Sequence, residues 1–355
     1  MDLTIAAILT LDGVSNGAIY ALLALATVLL FAVTRVIFIP QGEFVAFGAL
    51  TFAMLQQGNP VGSMWQRHGD LPGTLWLLLA ASLVAITVDA ARALREGRGH
   101  DVWRDALRTL ALPVALLALC SVSPPRGWPM GAQVLLTLAI VTPLGPLVYR
   151  LGYQRLADAS VLVLLIVSVG VHFALTGLGL LFFGAEGFRN PPFWDARFSL
   201  GALTLSGQTV IIVGSSVALI VLLWLFFERT LRGKALRATA VNRTGARLMG
   251  ISPAAAGRLS FTMAAFMGAL SGLLIGPSTT VFYDSGFLIG LKGFVAAVFA
   301  GLASYPLAAA GALGVGVIEA FGSFWASAFK EVIVFTSILP ILLWRSLRDP
   351  HHDED

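Results

Sequence analysis

Four polar features interrupt an otherwise apolar chain, and each bears on what chemistry the chain can do. The first is Glu43, preceded by Pro40, Gln41 and Gly42, inside the apolar run from Val36 to Leu55. A carboxylate at membrane depth is expensive and usually faces a protein interior or a water-filled cavity. Proline and glycine beside it predict a broken helix, whose freed backbone groups are tolerated only where they line such a cavity. Two readings stay open: Gln41, Gly42 and Glu43 line a substrate pathway, or Glu43 lies at an interface near Arg35 and stabilises packing. The second is Lys292, in the stretch Gly286-Phe-Leu-Ile-Gly290-Leu-Lys292-Gly293. Small residues there predict a tight helix crossing, and the lysine either joins that packing or snorkels to the interface. The third is Glu319, set among Gly314, Gly316 and Gly322, with Lys330 and Lys292 as candidate partners. The fourth is His172, four residues after Ser168 on one helix face. With no charged residue close to it in the sequence, it reads as a hydrogen-bonded packing histidine rather than a catalytic base.

Recognisable catalytic and nucleotide-binding signatures are absent. The chain has no Gly-x4-Gly-Lys-Ser/Thr phosphate cradle, so ATP hydrolysis by the chain itself is not expected. It has no His-Glu-x-x-His zinc motif and no Gly-x-Ser-x-Gly elbow. The single cysteine, Cys120, excludes an intrachain disulfide and a cysteine-based metal site. His351 and His352 belong to a charged tail that reads as a solvated end rather than a metal site. No catalytic residue, metal or cofactor is expected.

The longest polar interruption runs from Arg229 to Arg258 and holds seven basic residues and no acid. Within it Ala238, Val241, Leu248 and Met249 recur at helical spacing, which predicts one apolar stripe on a basic helix of about Arg237 to Met249. Gly250 supplies a C-terminal stop, and Ser252-Pro253 supplies an N-cap followed by proline at the first helical position. Basic loops in membrane proteins serve topology, but a loop that only counts charge needs neither stripe nor caps.

Composition sets the frame for these features. Of 355 residues, 57% are hydrophobic, 12% are charged and mean hydropathy is +0.85. A typical soluble domain is about one quarter charged, so the chain belongs in a bilayer. Eleven apolar segments are predicted, near 13–34, 36–58, 74–90, 109–122, 132–149, 160–183, 207–227, 258–277, 287–304, 307–327 and 330–346. Such runs cross or nearly cross about 30 Å of hydrocarbon as helices. The predicted fold is an all-α, polytopic transmembrane bundle of about 9–11 spans, some broken or re-entrant, forming one domain over 1–355. The N-terminus lacks the basic n-region of a cleaved signal peptide, so the first span is expected to be retained. Placing 229–258 inside puts the charged excursion 91–108, the segment 150–158 and the C-terminal tail on the same side. Together with Arg35 these stretches hold 17 of the 23 Lys and Arg residues, as the positive-inside rule requires. The other side then carries the turn cluster 121–129 and the loop 184–207, with Trp65, Trp76 and Trp194 at headgroup level.

Three segments resemble the membrane permease subunits of ABC uptake systems for branched-chain amino acids, a group with sugar and amide relatives. Gly13-Val-Ser-Asn-Gly-Ala-Ile-Tyr-Ala-Leu-Leu-Ala-Leu-Ala26, continuing to Gln41-Gly-Glu43, is similar to the family's first span and the Gly-Glu pair after it. The stretch from Arg232 to Ala240, with Ala246-Arg-Leu-Met-Gly-Ile251, resembles its cytoplasmic coupling loop. Gly290 to Leu302 resembles its penultimate Gly-rich segment. Gln41 stands where the family commonly has histidine, Asn242-Arg243 where an acid often sits, and 91–108 looks inserted.

The resemblance implies a non-enzymatic subunit in a bacterial inner membrane, importing branched-chain or other apolar amino acids. It implies separate ABC ATPase subunits, a second permease subunit of either kind, a soluble substrate-binding protein and surrounding lipid, with no nucleic acid. Arg237, Val241, Asn242, Arg243, Arg247, Leu248, Met249 and Gly250 would form the ATPase coupling surface, apolar stripe inward and Arg243 and Arg247 at the rim. Rival readings are an importer of the same architecture for sugars, urea or amides, and a stand-alone ion-coupled transporter using Glu43 and Glu319.

Overall fold

The computed structural model describes residues 2–58, 71–95, 102–200 and 203–348. The expectations for Trp65, residues 96–101 of the charged excursion and the tail 351–355 lie outside these residues.

A helix that must lie inside the bundle cannot carry one polar face, and the first helix, α1 (Leu3–Thr34), is apolar all round. It is the central post: 89% of its most apolar window is buried. Small residues let its neighbours come close, as is usual where no hydrophobic force separates helix from lipid. Gly13 and Gly17 of α1 meet the backbone of Gly316 and Leu313. After α1 the chain is extended, then makes a 3-10 turn over Ile39–Gly42 and starts α2 (Glu43–Gln57). The predicted span 36–58 is therefore broken, and the break falls at the Pro40-Gln41-Gly42 triplet as the sequence required.

The next helices are α3 (Gly73–Arg95) and α4 (Val102–Val122), followed by α5 (Met130–Val141) and α6 (Leu144–Val148). The last two run on as one apolar rod to Leu156. Then come α7 (Val161–Phe183) and α8 (Gly207–Arg229), the two short basic-loop helices α9 (Leu231–Val241) and α10 (Arg243–Leu248), and α11 (Pro253–Ile275). The chain closes with α12 (Ser285–Phe299), α13 (Tyr305–Trp325), α14 (Lys330–Thr336) and α15 (Ile338–Arg348). Among the described residues, eight helices are long and apolar enough to cross a membrane, and Ala106–Val122 and Ser285–Phe299 are shorter apolar helices. With the 15-residue α2, this agrees with an all-α bundle containing broken spans. One detail differs: the loop after α7 holds an antiparallel hairpin, Arg197–Leu200 with Leu203–Ser206.

Polar contacts sort the loops to two ends. Arg150 pairs with Asp89 near the end of α3, and Arg243 Nη1 donates to the Ala157 carbonyl at 2.7 Å, so the segment 150–158 meets both the end of α3 and the basic loop. At the other end Arg189 donates to the Pro277 carbonyl at 3.0 Å and Gln57 to the Arg189 carbonyl at 3.2 Å. The buried α1 contrasts with α7 and α8, whose apolar windows are only 17% and 22% buried. Those two present their side chains outward.

Candidate functional site

The break between α1 and α2 is held inside the bundle by the absence of side chains. A Cβ on Gly42 would fall on the carbonyl of Gly286, and one on Gly290 would meet the Gly42 backbone. The first turns of α12 therefore lie directly on the 3-10 turn. Pro40, Gln41, Gly42 and Glu43 are all buried. Gln41 Nε2 donates to the Ala264 carbonyl of α11 at 3.0 Å, which fixes the turn at mid-helix depth.

Glu43 is fully buried, and Oε1 lies 2.9 Å from His172 Nδ1 on α7. His172 therefore has an acidic partner, 129 residues away in sequence. The packing role expected for this histidine is correct in kind, but its partner was invisible to local reading. Arg35, the neighbour considered for Glu43, is exposed at the end of α1. The His172 ring packs against Phe287 of α12, centroids 4.9 Å apart. Two buried acceptors, Gln41 Oε1 and Glu43 Oε2, have no hydrogen-bond partner among the described residues. Buried acceptors are normally paired, so the position of Gln41 at the wall of a cavity is a functional clue. That cavity, about 330 Å³, is lined by Phe38, Gln41, Leu165, Phe287, Leu291 and Phe294 among others. Its wall is apolar, with one amide at the edge.

A second buried cluster pins the helix that covers the break. Lys292 Nζ donates to Glu319 Oε1 at 2.5 Å and to Glu331 Oε1 at 3.1 Å. Tyr20 Oη donates to the other oxygen of Glu319 at 2.6 Å. Of the partners considered for Glu319, Lys292 is the one bound, and snorkelling of Lys292 does not occur: it is 5% exposed. The cluster ties α12 to α13, α14 and α1. Breaking a buried pair by removing one member leaves an uncompensated charge, so the lysine and its acids stand together.

The basic loop is built differently. Thr230 caps α9 by accepting from the Gly233 N–H at 3.0 Å. Asn242 ends α9 and caps α10, its Oδ1 accepting from the Gly245 N–H at 2.7 Å. The single helix expected from Arg237 to Met249 is therefore two helices, broken where a short polar side chain competes for backbone N–H groups. Asn242 performs the capping that an aspartate would perform. At the far end Gly250 adopts φ +80°, the Ile251 N–H donates to Ala246 and the Gly250 N–H to Arg247. This is the complete Schellman closure of α10. Ser252 accepts from the Ala255 N–H and Pro253 opens α11, as expected.

The apolar stripe thus spans two helices, and it is uncovered. Val241, Leu248 and Met249 are 87%, 83% and 82% exposed. Arg247 is exposed beside them, whereas Arg243 is half-buried and turned to the Ala157 carbonyl. Arg237 is held by Glu228 at 2.6 Å and by the Phe227 carbonyl at 2.8 Å. Of the three arginines placed at this surface, Arg247 is the one exposed with no hydrogen-bond partner among the described residues.

Comparison with known proteins places this geometry in a family. Residues 109–343 match the family described as the branched-chain amino acid transport system / permease component. The high-affinity branched-chain amino acid transport system permease protein LivH of Salmonella typhimurium is 24% identical over 340 residues, covering 94% of this chain and 91% of LivH. The corresponding permease BraD of Pseudomonas aeruginosa is 29% identical over 216 residues, 59% of this chain and 70% of BraD. A solved chain of PsaBC from Streptococcus pneumoniae in complex with Fab overlaps 94% of this chain and 90% of its own length, at TM-score 0.36 and 11% identity. That overlap is too loose to add to the family match.

Proposed function

The chain belongs to the family of permease components of branched-chain amino acid transport systems, and from that membership we propose that it is the membrane subunit of an ATP-driven importer of branched-chain or other apolar amino acids. ATP is hydrolysed by separate ABC ATPase subunits, and substrate is delivered by a soluble binding protein at the face opposite the basic loop. The permease acts as one domain over 1–355, pairs with a second permease subunit and sits in a bacterial inner membrane with residues 229–258 in the cytoplasm.

The single observation that carries the coupling assignment is the uncovered apolar residues Val241, at the end of α9, and Leu248 and Met249, at the end of the capped helix α10, with Arg247 exposed next to them in the chain. Exposed apolar residues with a cation among them are typical of a hot spot that fits a partner's groove. Arg237, Asn242, Arg243 and Gly250 act behind that surface, holding α9 and α10 in position.

The pathway assignment rests on the break at Gln41, Gly42 and Glu43, whose Gln41 lines an apolar cavity together with Gly290 and Phe287 of the helix that covers it. Unwound backbone and unpaired acceptors at helix breaks line substrate routes in other transporters, and an aromatic-lined recess suits an apolar side chain. The test is uptake of radiolabelled leucine by vesicles holding the assembled system. Uptake should collapse on ATP depletion and survive an uncoupler, and Glu43→Gln should abolish it while the assembly stays intact. Uptake that collapses with the uncoupler alone would replace this reading by ion-coupled transport.

A further inference from the structure

A second recess lies at the basic-loop end of the bundle, away from the break between α1 and α2. It measures about 310 Å³ and is lined by Leu29 of α1, Leu223 and Trp224 of α8, Met267 of α11, and Tyr305 and Ala309 of α13. Its wall is apolar and partly aromatic, with the Phe227 and Tyr305 rings stacked at 5.5 Å. Glu228 and Arg237 also line it, and they form an ion pair at 2.6 Å with both side chains nearly half exposed. Small-molecule sites are commonly recesses of roughly this size, mainly apolar, with a few polar groups that fix orientation.

We propose that this recess binds an apolar molecule whose head pairs an anion with a primary ammonium, an N–H donor that phosphatidylcholine lacks. The apolar body fills the space between Leu29, Trp224 and Ala309. The anionic group of the head lies on the Arg237 guanidinium and the ammonium on the Glu228 carboxylate. A guanidinium and a carboxylate side by side match such a head and mismatch a singly charged one, because a lone anion or cation would face one like charge. Two sources supply this chemistry: a free apolar amino acid reaching the basic-loop face, or a phosphatidylethanolamine molecule of the adjacent leaflet. Arg237 belongs to α9, and its bond to the Phe227 carbonyl joins α9 to α8. Occupancy is therefore read at the base of the basic loop.

The choice of leucine as the amino-acid probe rests on the transport reading above; the lipid arm does not. The experiment uses the full chain, purified and reconstituted in nanodiscs of phosphatidylcholine alone, of phosphatidylcholine with phosphatidylglycerol, or of phosphatidylcholine with phosphatidylethanolamine. Leucine binding is measured by calorimetry in the first, and retained lipid by native mass spectrometry in all three. Leucine heat in phosphatidylcholine discs identifies the amino acid, and selective retention of phosphatidylethanolamine identifies the lipid. In either case Glu228→Gln should weaken binding about tenfold, the loss expected for one charge-assisted hydrogen bond. Ala309→Trp, which fills the recess, should abolish it. The proposal is overturned if leucine gives no heat and the three lipids are retained equally, or if Glu228→Gln and Ala309→Trp both leave binding unchanged. Failure of leucine uptake by the assembled system would instead count against the transport reading.

Discussion

The break at Gly42 and the basic loop at Asn242 are both interruptions of helix, yet they are stabilised in opposite ways. At Gly42 the neighbouring backbone of Gly286 and Gly290 occupies the space a side chain would need, and the polar groups beside it find partners on distant helices. At Asn242 the interruption is local: one side-chain cap, one Schellman closure and, among the described residues, no covering element over Val241, Leu248 or Met249. The first region is rigid because it is enclosed. The second keeps its shape in water and leaves its apolar residues for a partner. An importer needs both, a fixed polar seam in the membrane and a preformed handle outside it.

Substitutions can break this contrast, beginning with the largest effect. Gly42→Val should prevent stable folding, because its Cβ meets the Gly286 carbonyl with no flexible side chain to yield. Size-exclusion profiles of the tagged protein in detergent should show aggregate in place of the monodisperse peak. A normal profile would mean that α12 does not lie on the turn. Lys292→Met comes next. It leaves Glu319 buried beside Tyr20 without its cation and should lower stability by about 3–5 kcal/mol. Thermal unfolding in detergent reads this, and Glu319→Gln in the same chain should restore part of the loss. An unchanged melting temperature would mean that the cluster is solvated.

The smallest effects belong to the exposed region. Gly250→Ala forces a side chain into left-handed backbone with open space around it and should cost about 1 kcal/mol. Glu228→Gln removes a half-exposed ion pair and should change stability by less than about 1 kcal/mol. If either approached the Lys292→Met loss, the basic loop would be part of the core rather than a handle.

The two regions also differ in how much the sequence disclosed. Most of what short-range chemistry sets was legible: the break at Pro40-Gln41-Gly42, the stop at Gly250, the cap at Ser252 and the apolar spans. Asn242 was the local feature misread, since helical spacing carried the stripe across a residue whose side chain prefers to start a new helix. Long-range pairings were not legible. His172 has no acid near it in sequence because its acid is Glu43, and Glu319 offered two lysines between which only the packing of α12 on α13 decides. Nor does spacing show that Arg237 and Arg243 are engaged by Glu228 and by a carbonyl of the segment before α7. The strands Arg197–Leu200 and Leu203–Ser206 do alternate, with Phe198, Leu200, Leu203 and Leu205 apolar, but four residues of period two do not stand out inside a loop between long spans.

The central claim is that the uncovered residues of α10 receive the ATPase. Its most direct test is co-purification of the tagged chain with its ABC ATPase subunits, for the native sequence and for Arg247→Asp combined with Leu248→Asp. The account predicts that the native chain retains the ATPase. The double variant should remain monodisperse and membrane-inserted with its melting temperature unchanged, and should lose the ATPase. Retention of the ATPase by the folded double variant would contradict the assignment of this surface.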